Sequence, residues 1–201
     1  MATVYPTATG VWSTRTWNND ATGAAYGMAP QAGDTVLANG RTITIDQNIT
    51  VAALSTRVGT TAAAGGGFTV SGTRTINADS YGGTTTCLTL SASTSAVQNG
   101  NSYGSNTNNS VVGTNVNPGC IQNGNSTGGN GTGRTGTLLN GGGIQNGNST
   151  GGSAAYAYGT QANGGIQNGN STGGSASDAY GTYLAASGAI QYGNCTGGGV
   201  S

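Results

Sequence analysis

The chain has 201 residues, of which 40 are glycine and 5% are charged. Five arginines balance five aspartates, while lysine, glutamate and histidine are absent. A neutral chain of this kind has no basic patch to neutralise phosphates, so neither a nucleic acid nor an anionic membrane is expected as a partner. Since Glu and Lys normally cover helices, their absence beside abundant Thr, Asn, Ser and Gly predicts an all-β protein.

Residues 1–33 form an opening segment of distinct composition. It holds both tryptophans, Trp12 and Trp17, and two of the three prolines. A stacked β fold needs a cover for its first strand edge and its apolar interior, so we predict an N-terminal cap. The alternative is an attachment segment that docks through Trp12 and Trp17. The start shows neither a charged leader nor an apolar run, so we expect synthesis in a cytoplasm without a signal peptide.

Residues 34–95 contain short alternating segments separated by Gly and Asn-Gly breaks. We predict that they form irregular rungs of a solenoid, with a buried face at every second residue. The residues expected in that face are Val36, Ile43, Ile45, Ile49, Val51, Leu54, Val70, Ile76, Leu88 and Leu90.

Residues 96–201 carry an internal repeat. The phrase IQNGNSTGG begins at Ile121, Ile144 and Ile166, and imperfect copies begin at Val97 and Ile190, with spacings of 24, 23, 22 and 24 residues. A fixed period of this length is typical of stacked coils. The sequence therefore predicts a right-handed parallel β-helix, or β-solenoid, with three faces and coils of about 22–24 residues.

The aligned copies define columns along the solenoid axis. Isoleucine at the first position is predicted to lie in the core, and Asn-Gly-Asn to form a tight corner whose side-chain amides bond from coil to coil. The columns are Ile121, Ile144, Ile166 and Ile190; Asn123, Asn146 and Asn168; and Asn125, Asn148 and Asn170. Cys195 stands where the other copies have serine, so it is predicted to occupy a small-residue core position.

Tyrosines recur beside a repeated Gly-Thr pair. Tyr158 and Tyr180 lie one coil apart and are expected to stack on each other. Together with Tyr156 and Tyr183 they form a strip that is a candidate for recognition of surface glycans.

Residues suited to catalysis are sparse. Without His or Glu the usual general bases and metal ligands are missing, so we expect no enzyme activity, no metal and no cofactor. Asp34, Asp46 and Asp79 could supply a carboxylate pair, but in their sequence contexts a turn-forming role is favoured. A single threonine column (Thr127, Thr150, Thr172 and Thr196) adjoins Gly-Gly and does not favour an ice-binding face.

Several features occur in a characteristic order: Trp12 and Trp17, then Pro30, Asp34-Thr35-Val36, Asn39-Gly40 and Thr42-Ile43-Thr44-Ile45-Asp46. Coils with Asn-Gly-Asn-Ser-Thr-Gly-Gly-Ser and Ala-Tyr-Gly-Thr follow them. In this style of repeat, over most of its length, the chain resembles β-helical virion structural proteins of tailed bacteriophages.

The resemblance implies a non-enzymatic virion protein, most simply a capsid decoration (cement) protein that forms homotrimers and docks on the major capsid protein or on other virion proteins. A head fibre is a related possibility. The alternative is a tail-fibre or tailspike-type protein that binds host surface glycans. A third possibility, a polysaccharide-cleaving enzyme, would require Asp34, Asp46 or Asp79 for turnover.

Overall fold

The computed structural model describes residues 1–60, 64–92, 95–106 and 111–197. Residues 61–63, 93–94, 107–110 and 198–201, which belong to the predicted segments 34–95 and 96–201, lie outside the described residues. The strands are β1 (Thr3–Pro6), β2 (Gly10–Val11), β3 (Trp17–Asn19), β4 (Thr35–Leu37), β5 (Arg41–Ile45), β6 (Ile49–Ser55), β7 (Gly66–Val70), β8 (Thr75–Tyr81), β9 (Leu88–Leu90), β10 (Val97–Asn99), β11 (Ser102–Tyr103), β12 (Val112–Val116), β13 (Ile121–Asn123), β14 (Ser126–Thr127), β15 (Thr135–Asn140), β16 (Ile144–Asn146), β17 (Ser149–Thr150), β18 (Thr160–Asn163), β19 (Ile166–Asn168), β20 (Ser171–Thr172), β21 (Thr182–Leu184), β22 (Ile190–Tyr192) and β23 (Cys195–Thr196).

Helix is almost absent. One turn of 3-10 helix spans Trp12–Thr14, and within the described ranges no helix is long and apolar enough to cross a membrane. The prediction of an all-β chain is confirmed.

The strands form two sheets whose neighbours come from successive coils. One sheet has eight strands in the order β2-β5-β7-β9-β12-β15-β18-β21. The other runs β22-β19-β16-β13-β10-β8-β11-β14-β17-β20-β23 and is extended through β8 to β6, β4, β1 and β3. Among the described strands every pairing is parallel except that of β1 with β3. This arrangement is the predicted parallel β-helix.

The larger sheet divides into two faces at the Asn-Gly-Asn corner. Strand β8 pairs with β10 through Thr75–Asn77 and with β11 through Ser80–Tyr81. The strand stacks that continue from β10 and β11 therefore form two faces, and the eight-stranded sheet forms the third. Val97, Ile121, Ile144, Ile166 and Ile190 lie in one paired column, which confirms the coil period.

The interior of the N-terminal half is apolar. All ten aliphatic residues predicted from residues 34–95 are buried, and Phe68 fills the space beside them with 1% exposure. Cys87 and Cys120 are also fully buried, and none of the three cysteines forms a disulfide.

The two tryptophans belong to this core. Each is only 3% exposed, their ring centroids are 4.7 Å apart, and Trp12 lies 6.4 Å from the Phe68 ring. The suggestion that Trp12 and Trp17 dock on a partner is therefore wrong, because neither ring reaches the surface. Instead they fill the first rung, and β3 pairs antiparallel with β1 along the edge that would otherwise be open.

The isoleucine column was predicted to lie in the core, and this prediction is also wrong. Ile121, Ile144 and Ile166 are half-buried and Ile190 is 39% exposed. In the first four copies the next residue points inward instead: Gln98, Gln122, Gln145 and Gln167 are all 0% exposed. Ile and Asn stand two positions apart on a three-residue strand, so they share the outer face and Gln takes the inner one.

Candidate recognition surfaces

The first asparagine of each corner builds the predicted amide ladder on the outside of the solenoid. The Nδ2 of Asn123 donates to Asn99 Oδ1 at 3.0 Å, that of Asn146 to Asn123 at 2.9 Å, and that of Asn168 to Asn146 at 2.8 Å. The ladder begins further back, where Asn99 donates to Asn77 Oδ1 at 2.9 Å. Each amide thus joins two coils, which stabilises the register between them.

The second asparagine of the corner bonds differently. Its Oδ1 accepts the backbone N–H of the equivalent residue in the next coil, from Asn101 to Asn125 and onward at 3.0–3.2 Å. In the first coil of this series Asp79 replaces asparagine and accepts the N–H of Asn101 at 2.8 Å. The series therefore starts from a carboxylate, which is a stronger acceptor than an amide.

Glycine between the two asparagines is required by close approach of the coils. Gly124 has φ +144°, and a Cβ there would lie 2.3 Å from the carbonyl oxygen of Gly100. Gly147 and Gly169 have the same geometry against the coil before them. Any larger residue would separate two hydrogen-bonded coils.

The buried glutamines continue this cross-coil bonding inside the solenoid. The Nε2 of Gln122 donates to the Gly100 carbonyl at 2.6 Å, and Gln145 bonds Gly124 in the same way at 2.7 Å. The C-terminal half therefore has a largely hydrogen-bonded polar interior, with buried serines and threonines beside the glutamines. Cys195 continues the serine column in register but is exposed, because no described coil covers it.

Three of the four predicted tyrosines form one stack. The Tyr158 ring lies 4.7 Å from Tyr183 and 5.9 Å from Tyr180, with the planes within 22° and 12° of parallel. Tyr180 and Tyr183 are 44% and 39% exposed, and the Tyr180 hydroxyl donates to Asp178 at 3.0 Å, which raises the pKa of that tyrosine. Tyr156 is 50% exposed but makes no ring contact among the described residues.

A second tyrosine pair was missed by the sequence analysis. Tyr81 and Tyr103 stack with centroids 4.6 Å apart and planes 5° from parallel, and the Arg57 guanidinium lies 4.8 Å from the Tyr81 ring centre. Burial raises the pKa of Tyr81 to about 12. Tyr81 also lines a groove of about 710 Å³, together with Asp20, Asp79 and Arg57. The repeat of Ser-Tyr at one coil spacing was the signal that could have found it.

All five aspartate carboxylates accept hydrogen bonds from the protein itself. Asp34 accepts from Ala2, Gln31 and Tyr26 within the cap, while Asp46 accepts from the backbone and hydroxyl of Ser13. The other three bond as follows: Asp20 with the N–H of Thr60, Asp79 with Asn101 and Tyr81, and Asp178 with Tyr180. The candidate acids Asp34 and Asp46 are thus tied to the cap by separate sets of bonds.

In the described part of the chain, no group of three or more metal-ligating side chains occurs. Comparisons with protein-family models, curated proteins and solved structures found no match to this chain. The class that the fold defines is a parallel β-helix repeat protein.

Proposed function

We propose that the chain is a non-enzymatic structural protein of a bacteriophage particle, a short β-helical rod that decorates the capsid shell. The observation that carries the proposal is that the polar side chains of the repeats form hydrogen bonds within the chain itself. The repeated Asn, Gln and Ser side chains bond one coil to the next, and each of the five aspartate carboxylates accepts a hydrogen bond from its own chain. A sequence used in this way stabilises a stack of coils.

Attachment must use a surface other than the tryptophans. Exposed apolar side chains are concentrated in the last described coils, at Tyr180, Tyr183, Leu184, Ile190 and Tyr192. We place the contact with the major capsid protein, and with the other two chains of a homotrimer, at this end. Because the chain is neutral, affinity would come from apolar contact and from many copies acting together.

Immunogold electron microscopy of purified phage particles, with an antibody against this protein, tests whether it decorates the capsid shell. The expected result is gold label at regular positions on the shell. Unlabelled particles, with the protein found only in the soluble fraction of the lysate, would contradict the proposal. Sedimentation with purified shells tests the contact, since attachment by apolar surface should change little as salt rises. The matched variants are Leu184→Ser with Tyr192→Ser, which should weaken binding, and Val58→Ser, which changes an exposed apolar residue in another coil and should not.

A second candidate is recognition of host glycans through the tyrosine stack. The exposure of Tyr180 and Tyr183 favours it, because aromatic rings at a surface pack against sugar rings. Mutual stacking covers part of each ring, so only the outer faces and edges are available. Replacing both by alanine should abolish retention on a glycan array if this role holds, whereas the control Tyr156→Ala should retain binding. If phage particles carrying both alanine substitutions assemble with the normal structure but no longer adsorb to cells, the result favours host recognition over capsid decoration.

A further inference from the structure

The chain contains eight Asn-Gly dipeptides, at residues 39, 99, 123, 130, 140, 146, 163 and 168. Asn-Gly is the dipeptide most prone to spontaneous deamidation, because glycine has no Cβ to hinder its own backbone nitrogen. That nitrogen attacks the Cγ of the preceding asparagine. A backbone N–H already bound to an acceptor must first release it, so the fold controls the reaction at each dipeptide.

Six of the eight glycine N–H groups are bound to a carbonyl of a neighbouring coil. Gly100, Gly124, Gly147 and Gly169 donate to the next copy of the corner at 2.8–2.9 Å, and Gly40 and Gly141 donate at 3.0 Å. At the corners the asparagine is held as well. Asn123 and Asn146 each donate through Nδ2 and accept through Oδ1, so attack there requires three hydrogen bonds to break.

Two dipeptides lack this protection. In the described residues, the N–H groups of Gly131 and Gly164 donate no hydrogen bond. Asn130 is exposed, and its Oδ1 accepts the hydroxyl of Ser153 at 3.1 Å, which polarises the carbonyl towards attack. Asn163 is half-buried, and its Oδ1 accepts a long bond of 3.4 Å from Gln161.

We propose that Asn130 and Asn163 are sites of spontaneous deamidation and that the solenoid protects the other six. The glycine nitrogen loses its proton and bonds to Cγ, the Cγ–Nδ2 bond breaks, and ammonia leaves. Water then opens the five-membered imide at either carbonyl to give aspartate or isoaspartate. Each event adds one negative charge to a chain of zero net charge.

Ageing of the folded protein in mildly alkaline buffer, followed by peptide mapping with mass spectrometry, tests the proposal. Deamidation at Asn123 and Asn146 should be on the order of tenfold to a hundredfold slower than at Asn130 and Asn163, since three hydrogen bonds must break first. The same protein aged in denaturant is the control, and all eight dipeptides should react there at similar rates.

Ser153→Ala gives a matched internal comparison. It removes the hydroxyl that polarises the Asn130 amide, so the rate at Asn130 should fall roughly two- to tenfold, the equivalent of one hydrogen bond, while Asn163 is unchanged. The proposal is overturned if the corner asparagines react as fast as Asn130 in the folded protein. It is also overturned if Asn130 and Asn163 stay intact while both react in denaturant.

Discussion

At the scale of single residues, the buried glutamines differ in how fully they are bonded. Gln98 donates to the Ala78 carbonyl at 3.0 Å and accepts the Thr114 hydroxyl at 2.8 Å. Gln122 makes the corresponding donation, but its Oε1 has no partner among the described residues. Leaving a buried acceptor unpaired costs free energy, so the two glutamines contribute unequally to stability.

Leucine substitution at these two positions measures the difference. Both substitutions remove a hydrogen bond to the preceding coil. Gln98→Leu also removes the acceptor of the Thr114 hydroxyl, whereas the oxygen that Gln122→Leu removes was already unpaired. We expect Gln98→Leu to lower the free energy of unfolding by about 1 kcal/mol more than Gln122→Leu. Urea denaturation followed by circular dichroism provides the measurement. Equal losses would mean that the Thr114 contact contributes nothing.

At the scale of elements, the corner acts as a unit because its asparagine side chains bond in series. The middle member Asn146 donates to Asn123 and accepts from Asn168. A carboxylate at this position cannot donate, so two acceptor oxygens would face each other.

Asn146→Asp is therefore expected to lower the free energy of unfolding by roughly 1–3 kcal/mol at neutral pH. Asn130→Asp is the matched control, because the exposed Asn130 uses its side-chain oxygen as an acceptor and aspartate keeps that function. Its effect should stay within about 0.5 kcal/mol of zero. Thermal unfolding of both variants checks this, and similar losses in the two would argue against a ladder that depends on donation.

At the scale of the whole molecule, the stability of the cap that closes the N-terminal end depends on pH. Burial opposes ionisation of Asp34, but bonds from the Tyr26 hydroxyl and from the N–H groups of Gln31 and Ala2 outweigh it and lower the pKa of this carboxyl. The same contact raises the pKa of Tyr26. The Ser13 hydroxyl likewise lowers the pKa of Asp46.

The signs give a stability window. A carboxyl with a lowered pKa contributes its full stabilisation above its ordinary pKa of 3.8, and this stabilisation is lost as pH falls below that value. A tyrosine with a raised pKa contributes its full stabilisation below its ordinary pKa of 10.0 and loses it as pH rises above that value. We therefore expect the unfolding temperature to be flat between these limits and to fall outside them.

Asp34→Asn should lower the plateau and make both limbs shallower, as measured by thermal unfolding across pH. Asp178→Asn, which removes the same charge from an exposed site, is the control for the loss of one negative charge and should change the free energy of unfolding at neutral pH by no more than about 0.5 kcal/mol. An acid limb that persists in full in Asp34→Asn would place the controlling proton elsewhere.

The sequence by itself determined the coil period, the very low helix content, the apolar core of the N-terminal rungs and the asparagine corner. Parallel stacking in register places equal residues above one another, so a repeat such as Ile121, Ile144 and Ile166 shows its own alignment. The handedness of the solenoid and its role in a phage particle stay predictions.

Only the tertiary structure decided which face of each strand points inward. A three-residue strand has two residues on one face and one on the other, and hydrophobicity alone predicts that isoleucine faces inward. In the structure the isoleucine and the asparagine share the outer face, because the glutamine between them faces inward and bonds to the preceding coil. The burial of Trp12 and Trp17 and the groove beside Tyr81 also depend on residues far apart in the chain. Such contacts leave no local pattern, because they exist only once the coils have stacked.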